Sequence, residues 1–124
     1  MNSRTKGKRG ELEFAQWLRE HWHIDARRGQ QHRGGPDSPD VLTSLDGKVH
    51  FEVKRTEKLQ LHAAMRQAED EAPSMAVPVV AHRRNDGEWL LTLPAREAVD
   101  FAAALLGAGG GEGWASDELL IRRG

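Results

Sequence analysis

Two short apolar runs, Val41-Leu42-Thr43 and Val49-His50-Phe51-Glu52-Val53-Lys54, flank an Asp46-Gly47 pair and follow directly on Pro39-Asp40. Asp-Gly supplies the positive φ that a tight turn needs, so the stretch predicts two strands joined as a hairpin. Side chains alternate along a strand, which puts Glu52 and Lys54 on one face and Val49, Phe51 and Val53 on the other. Hairpin register decides where Asp40 falls. A two-residue loop, Asp46-Gly47, sets Asp40 opposite Val53 and on the wrong side. A three-residue loop, Leu45-Asp46-Gly47 with Gly47 in the left-handed position of a bulge, sets Asp40 opposite Glu52. Opposed Cβ atoms lie about 5 Å apart, close enough for two carboxylates to share a divalent cation. The bulged hairpin is therefore the expected one. Pro36-Asp37 duplicates the Pro-Asp pair, but Ser38-Pro39 after it cannot continue a central strand, whereas Asp40 leads straight into Val41.

Upstream, Glu11, Phe14, Ala15, Leu18 and Trp22 fall at helical spacing and predict a helix from about Lys8 to His21 or Trp22. Glu11 ends the buried stripe, while Glu13 shares its side with Gln16, Trp17 and Glu20. Taken alone, an acid in the first helical turn is accounted for by the helix dipole.

Pro39-Asp40, eleven intervening residues and Glu52-Val53-Lys54 together resemble the signature of the PD-(D/E)XK nuclease superfamily. Gly7-x-x-x-Glu11 resembles the first-helix element of its archaeal-type Holliday junction resolvases. Arg27-Arg28-Gly29-Gln30-Gln31 through Gly34-Gly35, with the downstream Asp40 and Glu52-Val53-Lys54-Arg55, is similar to short phage-encoded endonucleases or resolvases of the superfamily. The resemblance spans about residues 6 to 94. It implies a single-domain α/β fold, restriction-endonuclease-like, with a small mixed central sheet flanked by helices. It also implies catalytic roles for Glu11, Asp40, Glu52 and Lys54.

A chain of 124 residues suits one domain, small for an enzyme that must grip a long substrate, and a symmetric homodimer is the usual remedy. With no cysteine, disulfides, thiolate nucleophiles and cysteine-based zinc sites are excluded together. Neither a membrane span nor a leading signal peptide is expected, which suggests a cytoplasmic protein of a bacterial or phage-infected host cell. The net charge of −1 argues at first against a nucleic-acid partner. Its distribution argues the other way, because residues 1–34 carry eight Lys and Arg against four acids, a local excess of +4. Residues 1–6 are expected to form a mobile basic arm. Candidate DNA contacts are Arg4, Lys6, Lys8, Arg9, Arg27, Arg28 and Arg55, joined by Gln30, Gln31, His32 and Arg33 of the Gly29–Asp37 loop, which in resolvase-like relatives approaches the scissile phosphate.

Further elements follow from pattern. Ile24 to Arg28 predicts a strand, Leu59 to Glu71 a helix with Leu61, Ala64, Met65, Ala68 and Ala72 inward, and Val77 to Arg83 a strand covered on both faces. Gln67 lies beside that helical stripe, where related nucleases often carry a Gln; a surface Gln is the commoner outcome, and Glu69-Asp70-Glu71 reads as a solvated helix end. Pro78 implies a missing ladder partner near the strand start. Trp89 to Leu93 returns as a strand after Asn85-Asp86-Gly87. Pro94 opens a helix over Ala95 to Leu106, with Val99, Ala102, Ala103 and Leu106 as its apolar stripe. The nuclease domain is thus expected over 1–106, a Gly-rich linker over 107–113, and a tail over 114–124 whose Trp114 and Leu119-Leu120-Ile121 favour docking.

The chemistry implied is phosphodiester hydrolysis. Asp40, Glu52 and the Val53 carbonyl are suited to hold Mg²⁺, with Mn²⁺ able to substitute. The ion would polarise a phosphoryl oxygen and acidify a water, Lys54 would orient that water or offset developing charge, and Glu11 would ligate a second ion or act through a coordinated water. Six scattered histidines lack zinc-hydrolase spacing, and no phosphate-binding glycine loop precedes a helix. Three readings stay open: a dimeric resolvase cutting paired strands of four-way junctions, an endonuclease or nickase on other branched, flap or duplex DNA, and a catalytically idle DNA-binding protein of the same fold.

Overall fold

The computed structural model describes residues 3–29 and 40–108, with side chains from residue 7 to 29 and from 40 to 107. In chain order the elements are α1 (Ser3–His21), β1 (Ala26–Arg28), β2 (Val41–Thr43), β3 (Val49–Arg55), α2 (Leu61–Glu71), β4 (Val77–Arg83), β5 (Leu90–Thr92), a 3₁₀ turn (Ala95–Glu97) and α3 (Ala98–Ala108). Helix α1 begins at Ser3, five residues before the expected start, so the basic segment runs on into the helix. The Gln30–Arg33 cluster, Asp37, the tail and the side chains of Arg4 and Lys6 lie outside the described residues.

Strands β3 and β4 pair in parallel, with Glu52 beside Val80 and Lys54 beside His82, and β5 adds antiparallel to β4. A parallel pair needs a crossover, and α2 provides it. Pro78 lies before the Val80–His82 segment that β5 pairs with, so its missing N–H faces no β5 partner. The mixed sheet lies between two helical layers, as an α/β sandwich requires.

On one side, Phe14 and Leu18 of α1 meet Phe51 and Val79, with Phe14 edge-on to Phe51 at a centroid distance of 5.3 Å. Ala104 of α3 joins this core, flanked by Phe101 and Leu105. Across the sheet, Ala64 and Ala68 of α2 close on Val80. Small side chains there let α2 approach β4 and its neighbour β3, which carries Glu52 and Lys54.

Two expectations need correction. The stripe Val99, Ala102, Ala103 and Leu106 is not the buried face of α3: Val99 is 80% exposed, while Ala104 is 6% exposed. Helix α3 is apolar around most of its circumference, so periodicity alone could not choose a face. The second concerns β2, which ladders with β1 (Arg28↔Val41, Ala26↔Thr43) and not with β3. Leu45, expected in the loop, is buried in the core. Its carbonyl accepts from Lys48 N at 2.9 Å and Val49 N at 3.0 Å, so the turn is longer than three residues. Gly47 does carry positive φ, at +88°.

Candidate active site

Strand β3 presents Val49, Phe51 and Val53 to α1 and turns His50, Glu52 and Lys54 toward α2. Backbone polarity alternates along the edges as well. Lys48 O accepts from Val77 N, and Thr56 N donates to Arg83 O, so the even residues bond to β4 and the odd residues face the opposite edge.

Asp40 reaches that free edge. Its backbone N–H donates to Phe51 O at 3.3 Å, and its Oδ2 accepts the Val53 N–H at 2.8 Å. Asp40 and Glu52 are therefore neighbours through a side-chain bond to the β3 backbone, and not through the ladder opposition expected of a bulged hairpin. The Val53 carbonyl shares the edge occupied by the Asp40 carboxylate.

Glu52 is 2% exposed. Its Oε2 stands 3.4 Å from Lys54 Nζ, and among the described residues its Oε1 accepts no hydrogen bond. Lys54 Nζ in turn donates to Gln67 Oε1 at 3.0 Å, and Gln67 Nε2 donates to Glu71 Oε1 at 3.2 Å. Gln67 thus joins the Lys54–Glu52 cluster, although the sequence signal was only its place beside the α2 stripe. Glu71, which reads as a solvated helix end, also borders the site.

Glu11 arrives from α1 on the core side. It is 8% exposed and accepts the Arg28 Nε–H at 2.8 Å. Helix α1 can approach this closely because residue 10 is glycine: a Cβ there would lie 2.9 Å from the Arg55 Cβ, whereas Gly7 faces open space. Of the basic candidates, Lys8, Arg9 and Arg27 are exposed. Arg28 is engaged with Glu11, and Arg55 with Glu13 at 2.7 Å. Arg83 joins the Glu13 cluster at 3.9 Å and lies over the Trp89 ring.

The electrostatics ask for a cation. Burial, followed by the Asp40 charge, pushes the Glu52 carboxyl up to about 8. Asp40 is raised by burial, against the opposing pull of the Val53 N–H and of Lys54. Glu11 is also raised, by burial and then by Asp40, although Arg28 counters. Buried carboxylates that oppose one another's ionisation, one with an oxygen that has no donor among the described residues, have the donor chemistry of a hard divalent cation. Among the described residues, His50, Glu52 and Glu71 also bring ligand atoms within 4.8 Å of one another.

A protein-family model described as "Phage putative PDDEXK endonuclease" matches residues 2–105. The chain belongs to this family. The match embraces all four acidic and basic residues that converge here, Glu11, Asp40, Glu52 and Lys54, and the α/β fold is the one expected of a small PDDEXK domain. Searches of curated proteins and of solved structures gave no significant match. The PDDEXK family is one of nucleases, and its substrate is DNA. No helix among the described residues is long and apolar enough to cross a membrane.

Proposed function

We propose that this PDDEXK chain is a Mg²⁺-dependent endonuclease that works as a homodimer and cuts paired strands of four-way DNA junctions in the cytoplasm of a bacterial or phage-infected cell. One observation carries the chemistry: Glu52 of β3 pairs with the Lys54 ammonium, whose charge also acts on Glu11 of α1 and on Asp40 just before β2, and among the described residues the buried Glu52 Oε1 has no donor. Asp40, Glu52 and the Val53 carbonyl are the residues that would hold the ion. A bound divalent cation supplies Lewis-acid polarisation of the phosphoryl group and a more acidic water.

The rest is the work of this chain's own groups. Lys54, tethered between Glu52 and Gln67, offers a fixed positive charge where the phosphorane-like transition state gains negative charge. Glu11 adds a carboxylate whose charge Arg28 balances. Exposed Lys8, Arg9 and Arg27 are available to phosphates flanking the scissile bond. The junction preference draws support from the Gly7-x-x-x-Glu11 resemblance to resolvases and from the small size of the chain, which favours pairing of two sites.

The test is cleavage of end-labelled four-way junction, matched duplex and single strand, with Mg²⁺ or chelator, by wild type and Lys54→Ala. Paired symmetric incisions near the branch, lost in chelator and in the variant, are the expected result. Equal cutting of all three substrates would leave the active site standing and overturn junction selectivity. Junction binding without cleavage in Mg²⁺ or Mn²⁺ would point to an idle DNA-binding protein.

A further inference from the structure

The α2-facing side of β3 continues past Lys54. Thr56 N donates to Arg83 O at 3.2 Å, which carries the β3–β4 ladder one step on. Strand alternation then places Thr56 on the face of Glu52 and Lys54, with its Cα about 7 Å beyond that of Lys54. A groove of about 580 Å³ opens there, between the start of α2 and the β4–β5 hairpin, lined by Thr56, Leu59, Leu61, His82 and Leu90. That size is in the range of sites for small organic rings.

His82 is the register partner of Lys54 on β3 and of Leu90 on β5, so the three lie side by side on one face of the sheet. Its Nε2 pairs with Thr92 Oγ1 at 2.9 Å, which holds the imidazole plane in place. Burial lowers the pKa of this ring and keeps it uncharged at neutral pH. Leu90 is 53% exposed at the groove mouth. The lining does not suit a phosphate: Glu57 and Glu88 offset Arg83 and Arg84, and Arg83 is already turned toward Glu13 and Trp89. Three leucines and a neutral imidazole suit a flat, uncharged ring with polar edges.

We infer that this groove receives one unstacked nucleobase of the strand being cut, from a nucleotide next to the scissile phosphate, with His82 as its stacking partner and Leu90 as its apolar cover. The placement rests on the proposed nuclease reading, because Lys54 is what sets the scissile phosphate beside the groove. Taking a base out of its stack costs least where pairing is already interrupted. A branch point therefore supplies the base that an intact duplex withholds, and one chain gains a source of structure selectivity of its own.

The test uses 2-aminopurine, whose fluorescence rises when it leaves the base stack, placed in turn at each nucleotide around the branch of a four-way junction and at matched positions in duplex. Full-length protein is mixed with each DNA in Mg²⁺ by stopped flow, and cleavage is followed on gels from the same mixtures. One junction position is expected to brighten severalfold on binding, and the duplex far less. Leu90→Glu and His82→Gln should abolish that rise and weaken junction binding about tenfold. An abasic residue at the same position should weaken wild type by a like factor and leave the variants unchanged. No rise at any position, or a rise that survives Leu90→Glu, overturns the inference, and with cleavage intact it leaves the nuclease reading standing. A rise lost in Leu90→Glu, with no cleavage by wild type, would keep the base site and overturn the nuclease reading. Leu90→Glu alters an exposed position; if His82→Gln loses its fold by circular dichroism, Leu90→Glu decides alone.

Discussion

Lys54 Nζ donates to Gln67 Oε1 at 3.0 Å, a contact made across the gap between β3 and α2. The ammonium is thereby held against Glu52 by a residue from a different element. Removing Lys54 takes away the charge itself, and Lys54→Ala should lower the single-turnover cleavage rate by about 10²–10³-fold with little change in DNA affinity. Gln67→Ala should leave the charge but loosen it, for a loss of about tenfold in rate at unchanged affinity. Quench-flow with pre-bound substrate separates rate from binding; equal rates for Gln67→Ala and wild type would make the contact incidental.

Glu52 makes stability respond to pH in an unusual direction. Its carboxyl is raised from 4.5 to about 8 in the fold, so between those values the native chain binds a proton that the unfolded chain has lost. Without divalent cation, Glu52 therefore favours the fold most at acidic pH, and that contribution fades as pH rises toward 8. A cation replaces the proton. The stabilisation by Mg²⁺ or Mn²⁺ should accordingly be small at pH 6 and several degrees in Tm at pH 8 and above, since a ligand at about 100-fold its Kd adds about 2.7 kcal/mol. Thermal melts in chelator and in metal across this range check it, and Glu52→Gln should flatten the dependence.

Gly10 and Gly7 lie on the same helix with opposite steric surroundings. A Cβ at Gly10 meets the Arg55 Cβ at 2.9 Å, a contact that α1 can relieve only by moving off β3. Gly10→Ala should cost about 1–3 kcal/mol and should displace Glu11 from the site. Gly7→Ala meets open space and should stabilise by about 0.5–1 kcal/mol through helix propensity. Urea denaturation of the two variants gives both numbers.

The basic residues should divide by partner. Lys8, Arg9 and Arg27 are exposed, so alanine at any one should reduce the salt dependence of DNA binding by about one counterion and leave stability within about 0.5 kcal/mol. Arg28→Ala instead strands the buried Glu11 carboxylate and should destabilise by about 1–3 kcal/mol. Arg55, paired with Glu13 and only partly exposed, should behave as Arg28 does. Filter binding over a salt series, beside denaturation curves, distinguishes the groups.

Much of the site could be read from local pattern. Glu11 shares the α1 stripe with Phe14 and Leu18 because the helical repeat is a property of the chain itself, and all three are buried. Glu52 and Lys54 lie on one face for the same reason, and Gly47 has the positive φ its turn predicted. Pattern failed where it was degenerate. On α3, apolar residues surround most of the helix, and Phe101, Ala104 and Leu105 turn inward because the Phe14 and Trp89 side lies there. Register arithmetic for the hairpin assumed that β2 pairs with β3, whereas β2 pairs with β1 and Asp40, just before it, reaches β3 through Phe51 O and Val53 N.

By itself the sequence determined the alternation along β3, the stripe of α1, the turn at Gly47 and the residue types that put this chain in a PDDEXK family. Those are short-range, set by the period of helix and strand and by backbone sterics. Tertiary structure alone decided that Asp40 would grip the Val53 N–H, that Arg28 would balance Glu11, and that Gln67 and Glu71 would close on Lys54 and Glu52. Such contacts join elements far apart in the chain, and their partners are chosen by which apolar faces can be buried together, a choice no local period encodes.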